Sequence, residues 1–436
     1  MIIQFKIENW RSFQKETSFS MVASSERQYK EQIPVVKKYR NLRILPIAAV
    51  YGGNASGKTN FIEALSFLQH IVVRGTKPDS TIPVEPYRLN TQSLKQPSRF
   101  NLQLLIDEAI YEFMVVLTRK EILEEKLVKI NSNSEVELYH RYKGISFDSS
   151  LKDQDFLNFI FKGTRDNQLF LTEAISRKAD VFRPVYNWFK HQLMLIEPDS
   201  PFLGDFEKFS KKEHKINTIL PRLDTGISRL GEEEVSFDNL LLPNDLKIKF
   251  QEDIKEGDMR YIRMGSNFLI INNKKGKLVV KRLIAYHYNT EGKEIKFELD
   301  KESNGTQRII DLLPAFLDIS TSGSQKVYVI DELDRSLHTL LTKKLLEIYL
   351  NNCSNQSRTQ LLFTTHDLLL MDQKLLRRDE MWVTERNAQG VSDLFSFSDY
   401  KEIRNDKDIR KSYLQGRLGG IPKILLNRFL LDKEPE

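Results

Sequence analysis

A chain of 436 residues is long for one hydrophobic core, so two or three packed units are expected. With 40% hydrophobic and 29% charged residues it is not disordered throughout, and its lone cysteine, Cys353, excludes an internal disulfide and a multi-cysteine metal site. The net charge of +6 permits nucleic-acid contact at clusters such as Lys37-Lys38-Tyr39-Arg40, Lys211-Lys212 and Lys274-Lys275-Gly276-Lys277 without arguing for it.

The opening Ile3-Gln4-Phe5-Lys6-Ile7-Glu8 alternates apolar and polar residues, which predicts a half-buried strand. Its first residues lack a basic leader followed by a cleavable apolar segment, and no later run approaches the roughly 18–20 apolar residues of a spanning helix. The protein is therefore expected in the cytoplasm, away from membranes. Asn9-Trp10-Arg11-Ser12-Phe13 predicts a turn and Ser18 to Val22 its return strand, followed by a polar stretch from about Ser24 to Arg43.

Ile44 to Val50 is an apolar run, and Gly52-Gly53-Asn54-Ala55-Ser56-Gly57-Lys58-Thr59 follows it as a complete phosphate-binding loop. A strand, a Gly-rich turn and a helix in that order point backbone N–H groups at a phosphate chain. Lys58 can then supply positive charge to the β- and γ-phosphates of ATP, and the Thr59 hydroxyl can coordinate Mg²⁺. From Asn60 onward, Phe61, Ala64, Leu65, Phe67, Leu68 and Ile71 have helical spacing on one face. Strand-like runs at Phe100–Ile106 and Ala109–Leu117 predict antiparallel strands, completing a first lobe over residues 1–149.

Residues 150–256 have the texture of a mostly helical insertion. Phe156, Phe159 and Ile160, then Phe182, Val185, Trp188 and Phe189, form a stripe expected to be packing core, broken by Pro201 and Pro221. Strand character returns at Phe268–Asn272 and Lys277–Val280, opening a second lobe over residues 257–398 before a tail at 399–436.

Glu302-Ser303-Asn304-Gly305-Thr306-Gln307 opens an apolar-periodic run, and Ser303 or Asn304 can cap that helix, leaving free N–H groups at its start. Lys326 to Glu332 reads as a buried strand ending in two carboxylates. Asp331 at the strand end can hold Mg²⁺, and Glu332 can polarise an attacking water as general base. Leu333-Asp334-Arg335-Ser336 follows directly, and Gln360 to Thr365 is a further strand ending in His366. A parallel sheet would bring His366 to the same edge as the two carboxylates.

This set resembles the ATP-binding-cassette ATPases of the RecF/SMC type. Gly53 to Asn60, Glu302 to Arg308 and the late Tyr413-Leu414-Gln415-Gly416-Arg417-Leu418-Gly419-Gly420-Ile421-Pro422 resemble, within that superfamily, the bacterial AAA-type ATPases of abortive infection and anti-phage defence. The resemblance implies an α/β fold: an ABC-type P-loop ATPase head with a mixed-sheet core, an antiparallel β-lobe and a helical insertion. It implies a homodimer or higher oligomer in which two heads close on two ATP molecules. Ser303 and Gly305 of one subunit would then face the γ-phosphate held by Lys58 of the other. His366 would sense that phosphate, Asp334 would couple the two sites, Arg11 would touch nucleotide phosphate, and hydrolysis by Glu332 would release the closed state.

Three departures from the transporter pattern stand out: Glu302 replaces a leucine, and Asn304 and Thr306 replace glycines. The glutamine that reaches the metal in such ATPases has two candidates, Gln92 and Gln96. The leading functional expectation is a defence ATPase that gates a separately encoded effector, a TOPRIM-type nuclease, in response to a phage-encoded trigger. No HNH motif or metal-ligand cluster follows His366 to make the chain a nuclease itself. The alternative is a RecF/SMC-like DNA-maintenance ATPase that clamps DNA, and a transporter cassette is disfavoured.

Overall fold

The computed structural model describes residues 1–198, 207–237, 240, 244–256, 259–264, 267–321, 323–400 and 408–420. Pro201, and Ile421 and Pro422 of the late motif, lie outside the described residues, as do the side chains of Lys211 and Lys212. The chain divides into two compact units, one of Met1–Pro198, Ile319–Leu333 and Leu346–Glu436, the other of Asp199–Asp318 and Asp334–Leu345.

The first unit opens on β1 (Ile2–Glu8), whose Ile3, Phe5 and Ile7 are buried as the alternation requires. Its return strand β2 (Thr17–Ser20) stops short of Val22, which instead bridges Ile44. The polar stretch beyond holds a small ribbon, β3 (Val35–Val36) and β4 (Leu42–Arg43). β5 (Ile47–Gly52) is buried along its whole length, as an apolar run without alternation must be. α1 (Lys58–Val73) leaves the phosphate loop.

Next come β6 (Ser98–Ile106), β7 (Ala109–Leu117), β8 (Ile122–Ile130), β9 (Glu135–Tyr142) and β10 (Ile145–Phe147). Asp107 and Glu108, at φ 47° and 58°, make the two-residue left-handed turn that a tight hairpin needs between β6 and β7. The antiparallel sheet runs β10-β9-β8-β7-β6-β1-β2.

The helical span begins with α2 (Gln154–Lys162), α3 (Phe170–Ser176) and α4 (Arg183–Asn187), and then yields β11 (Leu193–Ile196). These elements lie in the first unit. The expected stripe holds in part: Phe182, Val185, Trp188 and Phe189 are fully buried, whereas Phe156 and Phe159 are 43% and 62% exposed. In α2 the inward positions are Leu157 and Ile160, one step round the helix, and Phe159 lies under the Arg177 guanidinium at 6.0 Å.

The second unit contains α5 (Glu207–Ile219), β12 (Arg229–Val235), α6 (Asn244–Asp253), β13 (Met259–Met264), β14 (Asn267–Lys274), β15 (Lys277–Tyr288), β16 (Glu294–Glu298) and most of α7 (Asn304–Ile319). Its antiparallel sheet runs β12-β15-β14-β13, with β16 also on β15. Ile216 of α5 and Ile309, Ile310 and Leu313 of α7 pack with Leu230 and Leu283 of that sheet. Among the described residues, 150–256 therefore contribute two strands, β11 and β12, besides their helices.

The chain finishes with β17 (Val327–Ile330), α8 (Thr339–Asn351), β18 (Gln360–Thr364), β19 (Met381–Arg386), β20 (Ser392–Ser396) and α9 (Ile409–Leu414). The second sheet of the first unit runs β11-β17-β18-β5-β19-β20, parallel except for β20. Parallel order puts the C-terminal ends of β5, β17, β18 and β19 on one edge, where α/β sheets bind ligands.

One core joins the two sheets to α1. Phe61 meets Phe5 and Phe19 at 5.9 and 5.2 Å between ring centroids, and Phe67 meets Trp10 and Phe100 at 5.1 Å each. Each such pair adds about 0.5–1.5 kcal/mol beyond its area burial. Among the described residues no helix is long and apolar enough to cross a membrane.

A buried polar latch fixes the start of β19. Arg377 donates to both carboxylate oxygens of Asp379 at 2.8 and 2.6 Å and to the carbonyl of Gln28 at 2.5 Å. Beside it, Glu380 accepts the Arg377 backbone N–H at 2.8 Å, and burial pushes its carboxyl up from 4.5 to about 8. A folded-state pKa above the unfolded one gives stability that is complete below 4.5 and is lost as pH rises towards about 8. The denaturation midpoint is expected to fall across that window, and Glu380→Gln, which cannot ionise, is expected to flatten the dependence. An unchanged slope in the variant would assign the titration to another group.

Candidate functional site

The backbone of the phosphate loop is possible only for the residues it has. Gly52 sits at φ 149°, where a Cβ would lie 2.6 Å from the Ser56 hydroxyl and from the Thr384 carbonyl oxygen. Gly57 sits at φ 119°, where a Cβ would lie 2.6 Å from the Ser392 hydroxyl. The loop is bolted to the strand ends beside it: Ser56 Oγ and Thr384 Oγ1 are 2.5 Å apart, and Ser392 Oγ donates to the Ser56 carbonyl at 2.6 Å. Lys58 Nζ donates to the carbonyls of Gly52 and Gly53 at 3.0 and 2.9 Å, which holds the ammonium over the loop.

The turn after β1 closes one side. Trp10 Nε1 donates to the Asn60 carbonyl at 2.7 Å, and Asn60 Nδ2 donates to Ser12 Oγ at 2.8 Å. Asn9 and Arg11 both take left-handed backbone, φ 52° and 48°. Asn9 compensates for this by donating to the carbonyls of Ser93 and Gln96 at 2.8 and 2.9 Å. The Arg11 guanidinium pairs with Glu63 and, at 3.0 Å, with Glu85.

On the other side, Asp331 is buried at the end of β17. Its carboxylate accepts from Thr59 Oγ1 at 2.8 Å and from the Thr364 hydroxyl. Glu332 is left-handed at φ 49°, and its N–H donates to Thr364 Oγ1 at 2.8 Å. That bend carries its side chain into the cavity, with Glu332 Oε1 4.0 Å from His366 Nε2. Register explains the meeting: Ile330 pairs with Phe363, so the residues following both strands emerge side by side.

The resulting cavity encloses about 800 Å³, within the roughly 300–1,000 Å³ of small-molecule sites. Of the sequence candidates, Arg11, Asn54, Ala55, Ser56, Gly57, Lys58, Thr59, Asn60, Glu332 and His366 line it. Asp331 lies one hydrogen bond behind Thr59. Gln92 and Gln96 are not among its lining residues; Gln92 precedes a short 3-10 turn, Ser93–Lys95, and Gln96 follows it.

Ser303, Gly305 and Asp334 belong to the second unit. Ser303 caps α7, its Oγ accepting the Thr306 N–H at 3.1 Å. A Cβ on Gly305 would lie 2.7 Å from the Ser336 carbonyl, so the loop after Asp334 packs on the start of α7. Asp334 Oδ1 is buried with no hydrogen-bond partner.

A family model described as "AAA domain, putative AbiEii toxin, Type IV TA system" matches residues 47–372. The chain belongs to this family. No curated protein matches the chain. Among solved structures, it is similar to an SMC head domain from Thermotoga maritima at 12% identity and TM-score 0.35, covering 91% of this chain and 98% of that one. It is also similar to an SMC head bound to the C-terminal winged-helix domain of ScpA, at 12% identity and TM-score 0.38, covering 91% and 97%.

Membership in an AAA domain family implies ATP as ligand, and the residues present suit its metal. The Thr59 hydroxyl beside the Asp331 carboxylate is an all-oxygen donor pair of the kind Mg²⁺ takes, with substrate phosphates completing the shell. No group of three or more His, Cys, Asp and Glu that could hold a metal occurs among the described residues, and a phosphate-bound Mg²⁺ requires none. The AAA domain's cavity also has a wall absent from the sequence expectations: Glu85, Tyr87, Arg88, Leu89, Arg386 and Gly390. Its two segments lie some three hundred positions apart, joined by Tyr87 Oη donating to the Gln389 carbonyl at 2.7 Å.

Proposed function

We propose that this protein is a Mg²⁺-dependent ATPase whose nucleotide closes two heads of a homodimer or larger assembly. In this reading it regulates a separately encoded toxic effector, a TOPRIM-type nuclease, in anti-phage defence and answers a phage-encoded trigger. One observation carries the enzymatic part: Glu332 and His366 face the same cavity as Lys58 and Thr59. The family description, with its toxin and type IV toxin–antitoxin terms, supports the defence role.

Placement in the first unit and the resemblance together support the following roles. Backbone N–H groups of residues 54–59 and the Lys58 ammonium would bind the phosphates. Thr59 and Asp331 would hold Mg²⁺, which supplies charge neutralisation on the phosphates when bound. Glu332 would take the proton of the attacking water, and His366 beside it would orient the γ-phosphate. Arg11 would exchange a carboxylate partner for phosphate. Ser303 and Gly305 at the α7 start, with Asp334, would complete the site of the opposing head.

Purified protein is expected to hydrolyse ATP only with Mg²⁺, to assemble further with ATP on sedimentation, and to leave DNA and RNA intact. Nucleic-acid degradation that persists in Glu332→Gln would overturn the division of labour between ATPase and effector. Tight, salt-sensitive DNA binding by the isolated chain would favour DNA clamping instead.

A further inference from the structure

A buried carboxylate directly precedes the exposed start of α7. The Glu302 side chain is 8% exposed, whereas Ser303 and Asn304, the next two residues, stand in solvent. Burying a carboxylate costs free energy unless it is paired, and an apolar side chain would fill the same place without that cost. What the carboxylate adds is a directional bond.

The partner is His287, near the end of β15. A carboxylate only accepts, so His287 Nε2 carries the proton and donates to Glu302 Oε1 at 2.6 Å. The imidazole is held on two further sides. It meets the ring of Phe297 in β16 edge-on at 4.8 Å between centroids, and its Nδ1 faces Gly226, where a Cβ would lie 3.5 Å away. The ring has little freedom, and Glu302 takes its position from the sheet. Glu302 hands that position on through its backbone. Its carbonyl accepts from Gln307 Nε2 at 2.9 Å, and its N–H donates at 3.2 Å to the carbonyl of Leu299, a residue of the second unit's core. With Ser303 Oγ accepting the Thr306 N–H, the chain is pinned on both sides of residue 303.

We propose that His287 is a positioning residue for the nucleotide of an opposing head: through Glu302 it holds Ser303 and Gly305 in the orientation in which they meet that nucleotide. The proposal rests on the reading of the α7 start as the part that completes the site of a second copy. A turn that is already fixed loses little conformational freedom when two heads close, so the tether favours closure without touching the ligand. His287 and Glu302 both belong to the second unit, and the phosphate loop belongs to the first. His287 is therefore expected to act on assembly and turnover, and not on the capture of ATP by a single head.

The test places His287→Ala and His287→Gln in the full chain carrying Glu332→Gln. Sedimentation follows assembly driven by ATP with Mg²⁺, and a fluorescent ATP analogue is titrated at protein concentrations too dilute for assembly. His287→Ala is expected to weaken assembly at least about tenfold, the worth of a hydrogen bond to a charged group. It is expected to change the affinity of the dilute chain less than about twofold, as for independent sites. In His287→Gln the amide Nε2 replaces the imidazole Nε2 as donor, and assembly is expected to return to within about threefold of the parent. Adding Glu302→Ala to His287→Ala is expected to weaken assembly no further, since both changes remove one bond. Unaltered assembly in His287→Ala would overturn the positioning role. A loss in His287→Gln as deep as in His287→Ala would do the same, by making the ring a packing element, and so would a further loss on adding Glu302→Ala. An equal fall in dilute-chain affinity would make the effect a general disruption and overturn the role as well. No ATP-driven assembly in the Glu332→Gln chain itself removes the two-head reading and the proposal together, whereas assembly that ignores His287 leaves that reading standing.

Discussion

Glu332→Gln is expected to lower ATP turnover by about 10²–10⁴-fold while ATP binding persists. The substitution keeps the shape of the side chain and the left-handed bend at φ 49°, because the bend is held by the Glu332 N–H on Thr364 rather than by the carboxylate. It leaves the contact between Thr59 and Asp331 untouched, so the oxygens proposed for Mg²⁺ remain. What it removes is a base: an amide cannot accept the proton of the attacking water. Binding without hydrolysis is the condition under which an ATP-closed pair of heads accumulates. Single-turnover kinetics and sedimentation with ATP check the two halves together. Unchanged assembly with normal turnover would remove Glu332 from the reaction.

Lys58→Ala is expected to weaken ATP binding by about a hundredfold or more, because hydrogen bonds to charged groups are worth about 1.5–3 kcal/mol each and every 1.4 kcal/mol is tenfold. Lys58 Nζ rests on the carbonyls of Gly52 and Gly53 at 3.0 and 2.9 Å, so it is aimed before any nucleotide arrives and little ordering entropy opposes binding. Alanine also removes the Lys58 donor from both carbonyls, leaving Gly53 with the longer Ser56 N–H bond at 3.3 Å, which loosens the loop. Titration with a fluorescent ATP analogue reads the loss. Full ATPase activity in the variant would move the phosphate site elsewhere.

The parts of the site that could be read from sequence are those in which backbone geometry restricts residue choice. Gly52 and Gly57 stand where a Cβ would collide, so the loop is recognisable without any partner. His366 was legible because β18 lies next to β17 in parallel, which makes sequence order a guide to spatial order. The cavity wall opposite was not legible, since it joins residues 85–89 to a hairpin at 387–390 by contacts that no local period encodes.

Short or charged strands were hidden for a related reason. Leu193–Ile196 is too brief to show a period, and its identity comes from pairing with Val327–Ile330. Arg229–Val235 carries three consecutive glutamates, and Glu232 is met by Lys281 and Glu233 by Arg282 on the opposed strand and by Lys296 beyond it. Phe156 and Phe159 mark the opposite failure: of the expected Phe156, Phe159 and Ile160, Ile160 turns inward, and Leu157 joins it in place of the two aromatics.

The bonds that brace the phosphate loop impose an order on biosynthesis. Ser56 meets Thr384 across 328 positions and Ser392 across 336, so the loop leaves the ribosome long before the strands that lock it. Nucleotide competence then arrives late in translation, once β19 and β20 have been made. A chain interrupted before Thr384 would carry the full motif and lack its brace. For a protein proposed to regulate a toxic partner through ATP-closed heads, an incomplete copy is then expected to be silent rather than permanently switched on.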